Sequence, residues 1–502
     1  MKLIVLVISC ALSPLFSISQ NYDFAWGDDK DQLIEAFVPV DSNSFFVMQN
    51  AGGLGIFKYS YSKETGVLQT TKTDFKHMET YKLMYGDYLI KDEKLYEIVE
   101  THEGSKKDGK PKFYTLALQE RNSNTFEVKD EPVVLLQSQA TDKWCYHHAY
   151  YENEHQFVIV RMFYTSVGYH DGAGLEFLIF NKTDLSLIYS ESINLTGKDQ
   201  YGLLEDIKFD ENNEICVSSI LIEAPALSNA SKPTLEQNIH TIDASGIKKT
   251  TDIPNNQKVL IAGFSEERDF HFSLNVNNTD GTIFLNTSNF DLKNISTKTL
   301  NCRDLMSSVN SIASQEFDKN LGKYNTINFK IQSSEFISLD DNSELGTISI
   351  DFYAGNLMNK AISASLMYKI NPDGTIAWFK NLDFSKIATF WEDSNNKIHL
   401  FANDISEFYS KDGEFIDSDP VKVTPNSRYK PVEVILDSKS GEITSRSVIT
   451  KGFEEGEVFQ SFRTFRINDS LIVTPKWKQS GTSQFTRSPR QMAITGVMNI
   501  EK

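Results

Sequence analysis

The sequence predicts an all-β chain folded as a single β-propeller of eight four-stranded blades. Three observations carry that prediction. Short strand-like runs arrive in groups of four, separated by polar turns. The turn between the third and fourth runs recurs near Gly66, Asn124, Asp184, Gly246, Asn294, Gly374 and Gly441, mostly at intervals of about 60 residues. The last group lacks its fourth run, whereas Tyr22-Asp23-Phe24-Ala25-Trp26 is strand-like and belongs to no other group. A ring closed by that N-terminal strand, as the missing member of the last blade, leaves no sheet edge open. Seven blades result if one meander is misread. Two stacked β-sandwiches are the competing architecture, but no Pro/Gly/Ser-rich linker divides the chain to favour them.

The chain opens with Lys2 and an apolar run through Leu3, Leu6, Ile8, Leu12 and Phe16, followed by small residues at Ser17 and Ser19. This reads as an export signal over residues 1–19, with residues 20–502 as one propeller domain. Lipidation at Cys10 is the alternative use of the same stretch. No later run approaches the roughly 20 apolar residues of a membrane span. The expected location is therefore outside the cytoplasm, in the periplasm or at the cell surface.

The first group runs from Leu33 to Phe75, with Phe45-Phe46-Val47-Met48 as its most apolar strand. The second uses Tyr81–Tyr85, Tyr88–Ile90, Leu95–Val99, Phe113–Leu118 and Phe126–Leu136. The third spans His147–Leu195, the fourth Leu203–Ile253 and the fifth Val259–Leu300. Leu305, Val309 and Ile312 then fall at helical spacing, which predicts a short helix over Arg303–Phe317. The sixth group, Phe329–Leu382, holds the clearest hairpin: Asn371-Pro372-Asp373-Gly374 between two strand-like runs. Trp378 behind that turn is expected to pack between blades. The seventh group, Ile387–Ile449, carries an insertion around Asp404–Lys430. The last uses Phe459–Ile467, Leu471–Val473 and Met492–Met498.

The stretch from about Asn328 to Ser445 resembles large secreted β-propeller proteins of Gram-negative envelope bacteria, most of them uncharacterised. The resemblance rests on Gly346-Thr347-Ile348-Ser349-Ile350-Asp351-Phe352, on Ile370–Trp378 and on Ile398-His399-Leu400-Phe401-Ala402-Asn403-Asp404. These motifs carry strand and turn chemistry. The likeness implies fold and compartment and transfers no catalytic residue.

With 50 Lys and Arg against 68 Asp and Glu, the formal charge is −18. That field opposes nucleic acid and anionic membrane surfaces, so neither is an expected partner. No GxSxG, HExxH, GxGxxG or GxxxxGK motif is present, and no catalytic or cofactor-binding residue is assigned. Cys145, Cys216 and Cys302 are too far apart for a disulfide framework and read as buried strand residues. His147, His148, His155 and His170 near Cys145 form the densest set of candidate metal ligands. Adjacent strand residues face opposite ways, so His147 and His148 do not serve one site, and no metal is assigned.

One basic island stands out in the acidic chain: Lys476, Trp477, Lys478, Arg487 and Arg490, around a Gly/Ser/Thr-rich stretch. Trp and Arg are favoured interface anchors, which makes these the candidate partner-binding residues. The expected function is a non-catalytic protein-interaction module of the bacterial envelope, for example an accessory subunit docking on an outer-membrane machine for transport, secretion or surface assembly. The alternative is a carbohydrate-binding or carbohydrate-cleaving propeller that uses Trp391 or Trp477 as sugar platforms.

Overall fold

The computed structural model describes residues 22–500, apart from 28–33, 51–53, 74–86, 104–112, 140–143, 165–172, 196–199, 224–233, 255–256, 266–267, 278, 303–326, 355–361, 383–385, 417–428, 461–463 and 479–492. The expected strand Tyr81–Tyr85 and helix Arg303–Phe317 lie outside the described residues.

Eight four-stranded antiparallel sheets are arranged as blades. The strand β1 (Tyr22–Trp26) precedes blade 1, which is β2 to β5 (Ile34–Asp41, Ser44–Asn50, Leu54–Ser62, Val67–Lys72). Blade 2 is β6 to β9 (Asp87–Lys91, Lys94–Glu103, Phe113–Arg121, Val133–Gln139), and blade 3 is β10 to β13 (Trp144–Glu152, Gln156–Tyr164, Ala173–Asn181, Leu187–Asn194). Blade 4 is β14 to β17 (Gln200–Phe209, Ile215–Glu223, Thr234–Asp243, Gly246–Asp252), and blade 5 is β18 to β21 (Gln257–Phe264, His271–Asn277, Thr282–Ser288, Asn294–Asn301). Blade 6 is β22 to β25 (Ile327–Ser338, Glu344–Ala354, Ile362–Ile370, Ile376–Leu382), and blade 7 is β26 to β29 (Lys386–Glu392, Lys397–Ile405, Tyr429–Asp437, Ile443–Val448). Then come β30 (Glu457–Phe459), β31 (Phe465–Asn468), β32 (Leu471–Val473), β33 (Lys476–Lys478), β34 (Ala493–Ile494) and β35 (Gly496–Ile500).

Blade 8 has the order β31-β32-β35-β1, so the N-terminal strand pairs with the C-terminal one, Tyr22 opposite Ile500 and Trp26 opposite Gly496. The sequence reading of Phe459–Ile467 as one strand is corrected. β30 leaves blade 8 and joins β33 and β34 in a separate three-stranded sheet. Lys476–Lys478 is therefore a strand of that sheet and not part of a loop.

Blade interiors are apolar because strand residues buried on both faces meet a neighbouring blade. One cluster joins blades 2 and 3 through Leu116, Leu118, Phe157 and Ile159. Another joins blades 8 and 1 through Phe45, Val47, Leu471 and Val497. Blades 7 and 8 meet at Trp391, Phe401, Ile472 and Met498. The innermost strands of blades 1 and 8 also touch, Phe37 stacking on Phe465 with centroids 6.0 Å apart.

A β-bulge recurs in the innermost strand, where it pairs with the second strand, in blades 1, 3, 4, 5, 6 and 7. An extra residue there bends the strand and re-aims the side chains after it. In blade 3 that residue is Tyr146, and it creates the site described next.

Candidate functional site

Blades 2 and 3 enclose a buried cluster of charged side chains. The blade 3 ladder pairs Cys145 with Phe163, skips Tyr146, and resumes with His147 opposite Met162 and His148 opposite Arg161. Arg161 and Phe163 are two apart on β11 and share a face. The bulge therefore brings Cys145 and His148 to that same face, where strict alternation would have separated them. Blade 2 supplies Asp87 from the start of β6 and Glu100 and His102 from the end of β7.

His148 lies between two carboxylates. Its backbone N–H donates to Asp87 Oδ2 at 2.7 Å, and its ring Nδ1 lies 2.9 Å from the same oxygen. Its Nε2 lies 3.0 Å from Glu100 Oε2 and 3.4 Å from Cys145 Sγ. Burial disfavours the imidazolium, but hydrogen bonds to Asp87, Cys145 and Glu100 outweigh it and push the pKa up to about 11. Both ring nitrogens then donate.

Arg161, 2% exposed, donates Nε to Glu100 Oε2 and Nη2 to Glu100 Oε1, each at 2.7 Å. Its Nη1 pairs with Glu176, and its guanidinium lies 3.7 Å over the Tyr114 ring. Burial raises the Glu100 pKa, but His148 and Arg161 overcome it and hold the carboxylate down at about 2. His102 Nε2 contacts Glu100 Oε1 at 2.7 Å, while burial lowers the pKa of that ring.

Cys145, His148 and Asp87 stand in the order of a nucleophile, a base and its orienter. The geometry works against that use. A ring whose two N–H groups face carboxylates has no lone pair with which to take the thiol proton. What the cluster does offer is three ligand atoms of different type, Glu100 O, Cys145 Sγ and His148 N, all within 4.8 Å of one another.

The other sequence-predicted residues are scattered. His155 is exposed in the β10–β11 turn, and His170 lies outside the described residues. Sequence reading missed Asp87, Glu100 and Arg161, which come from distant parts of the chain. The only signal was the density of polar residues around Cys145. Cys216 and Cys302 are buried as expected, whereas Cys145 is half-buried beside His148.

The basic island divides. Lys476 is buried, 2.7 Å from Glu457, with its ammonium 4.4 Å over the Trp26 ring. It is occupied inside the protein and presents nothing to a partner. Trp477 packs partly against the core between blades 8 and 1. Lys478 is exposed and 3.9 Å from Glu454. Arg487 and Arg490 lie outside the described residues. Trp391 is 3% exposed and stacks on His399 and Phe401, so it is a core residue and not a sugar platform.

No family model matches the chain, and no curated protein matches it. Among solved structures it is similar to the WD40 domain of SCAP from fission yeast, at 7% identity and a TM-score of 0.43 over 96% of this chain and 99% of that one. It is also similar to the polysaccharide lyase Uly1, at 9% identity and a TM-score of 0.41 over 93% and 90%. A third likeness is to dipeptidyl peptidase 4 of Porphyromonas gingivalis, at 9% identity and a TM-score of 0.42 over 92% of this chain and 59% of that one. At these identities, what those proteins act on does not transfer to this chain. Among the described residues no helix is long and apolar enough to cross a membrane.

Proposed function

We propose that this chain is a non-catalytic protein-interaction module of the bacterial cell envelope, an accessory subunit docking on an outer-membrane transport, secretion or surface-assembly machine. The observation that supports it most is the asymmetry between the two faces of the propeller. In an antiparallel meander the first-to-second and third-to-fourth connections leave on one face, and all others leave on the opposite face. On the first face the turns are mostly tight and closed by their own side chains. Asp243 Oδ1 accepts the Ser245 N–H, Asp373 Oδ1 accepts that of Thr375, and Asp393 Oδ1 accepts that of Asn395.

The longest intervals between paired strands begin and end at the other face. The chain leaves blade 5 at Asn301 and re-enters at Ile327, leaves β27 at Ile405 and re-enters at Tyr429, and leaves β32 at Val473 and re-enters at Gly496. Loops on a rigid scaffold are where recognition is usually built. Two of these additions are anchored side by side. Asn403 exchanges hydrogen bonds with the backbone of Phe459, fixing the three-stranded sheet, and Asp404 accepts from the Tyr409 hydroxyl, fixing the hairpin after β27. That sheet ends at the exposed Lys478 and leads to Arg487 and Arg490, basic residues that suit an acidic partner. The apolar run at residues 3–16 and the resemblance to envelope propellers support the compartment.

The test is affinity purification of the full chain from envelope membranes at native expression. A reproducible partner is expected, and it should be lost with Lys478→Glu, Arg487→Glu and Arg490→Glu combined. Recovery of the protein alone, or capture unchanged by the triple variant, rejects the reading.

A further inference from the structure

We propose that Glu100, Cys145 and His148 form a binding site for a divalent transition-metal ion of the zinc type, clamping blade 2 to blade 3. Four observations converge on it. The donor set of one thiolate, one imidazole and one carboxylate is that of a transition metal and not of calcium or magnesium. The spacing is close to what such an ion needs. Ligand atoms about 2.0–2.3 Å from a tetrahedral ion lie roughly 3.3–3.7 Å apart. Here Nε2 is 3.4 Å from Sγ and 3.0 Å from Glu100 Oε2, and Sγ lies within 4.8 Å of a Glu100 oxygen, so small shifts of the three side chains bring them onto one ion.

The histidine is already oriented. Asp87 faces Nδ1 at 2.9 Å, which fixes the ring with Nε2 toward the other two ligands, the arrangement that carboxylates give to metal-bound histidines. The carboxylate is oriented as well. Arg161 grips both oxygens of Glu100, and His102 contacts Oε1. The bulge at Tyr146 is what makes the site, because without it Cys145 and His148 face opposite sides of the sheet.

The exchange balances in atoms and charge. The metal ion enters, the Cys145 thiol loses its proton, and His148 loses the proton on Nε2. Two protons leave for one dication, and Arg161 and Asp87 keep their present contacts. A fourth position remains for water or a ligand. The site lies toward the face at which those longest intervals begin and end, since it uses the start of β6 and β10 and the end of β7.

The experiment uses the full chain without a histidine tag, stripped with a chelator and titrated with Co2+ and then Zn2+. One Co2+ per chain is expected, with the intense near-ultraviolet absorption of a thiolate–cobalt bond, displaced by Zn2+. Cys145→Ser should abolish that absorption, and Asp87→Asn should weaken metal affinity about 10–100-fold. A second measurement needs no variant: zinc should protect Cys145 from a maleimide in the wild-type chain, and chelation should restore its reaction. Absence of stoichiometric uptake at micromolar metal overturns the proposal. So does a cobalt spectrum that survives Cys145→Ser, or a maleimide rate that zinc does not change.

Discussion

The indole ring of Trp378 in blade 6 covers Gly441 in the third turn of blade 7 so closely that a Cβ there would lie 2.7 Å from the ring. The same indole N–H donates to the buried carbonyl of Ser438 at 2.9 Å. Gly441 has φ +66°, a conformation in which a side chain is already disfavoured. Two costs then add for Gly441→Ala: backbone strain of about 1 kcal/mol and overpacking of about 1–3 kcal/mol. Trp378→Phe should cost about 1–3 kcal/mol by orphaning the Ser438 carbonyl. Denaturation midpoints test this. A Gly441→Ala chain that unfolds where the wild type does would show that the turn is not pressed between blades.

The same contact explains what was legible in the sequence. Gly66, Gly246, Gly374 and Gly441 all adopt positive φ, and each closes a third-to-fourth-strand turn. Turn chemistry is local, so the blade repeat could be read from short stretches, and Trp378 could be placed between blades. The site could not. Its contacts run between blades, and strict alternation predicts that Cys145 and His148 diverge. The bulge that reunites them leaves no mark in residue type. The Lys476 misreading has a similar cause: Glu457 meets it only once β30 pairs with β33, and Trp26 only after the chain ends come together.

Arg161 should be among the least replaceable residues of the chain. It is 2% exposed and its charge compensates Glu100, whose side chain is 4% exposed, and Glu176. Breaking a buried pair from one side leaves an uncompensated charge, at a cost of about 3–5 kcal/mol. Arg161→Met should therefore lower the melting midpoint markedly. Arg161→Lys should rescue little, because a single ammonium cannot reproduce the two parallel bonds to Glu100. Full rescue by lysine would mean that charge alone, and not the fork, holds blade 2 to blade 3.

Blades 4 and 5 should make the protein acid-sensitive. His271 is buried with Nε2 2.9 Å from Ser218 Oγ, and His240 is buried with Nε2 3.3 Å from Ser219 Oγ. Burial lowers their pKa values to about 3 and about 4. The native state thus refuses protons that the unfolded chain accepts below about pH 6.5. Their stabilising contribution is complete above that pH and falls as pH drops toward the folded values. At the acid end the pair together should remove several kcal/mol. His271→Gln should flatten the stability profile between about pH 6.5 and 4, even if it lowers stability at pH 7. An unchanged acid slope would place the sensitivity elsewhere.

The pairing of β1 with β35 makes the final prediction. β1 is the outer strand of blade 8, and its side chains reach further than its ladder. The Tyr22 hydroxyl donates to Glu433 Oε2 of blade 7 at 3.0 Å. The Trp26 ring lies over Gly496, where a Cβ would come within 2.1 Å of it. Removing residues 22–26 leaves β35 as an unpaired edge between two apolar clusters, and unpaired edges recruit other chains. The trimmed protein should melt earlier, become susceptible to proteolysis across residues 464–500, and self-associate. Gly496→Ala should give a milder version by displacing Trp26 without shortening the chain. A trimmed chain that stays monomeric with the wild-type midpoint would show that the other seven blades hold blade 8 in place unaided, and that β1 is an accessory to the ring and not its latch.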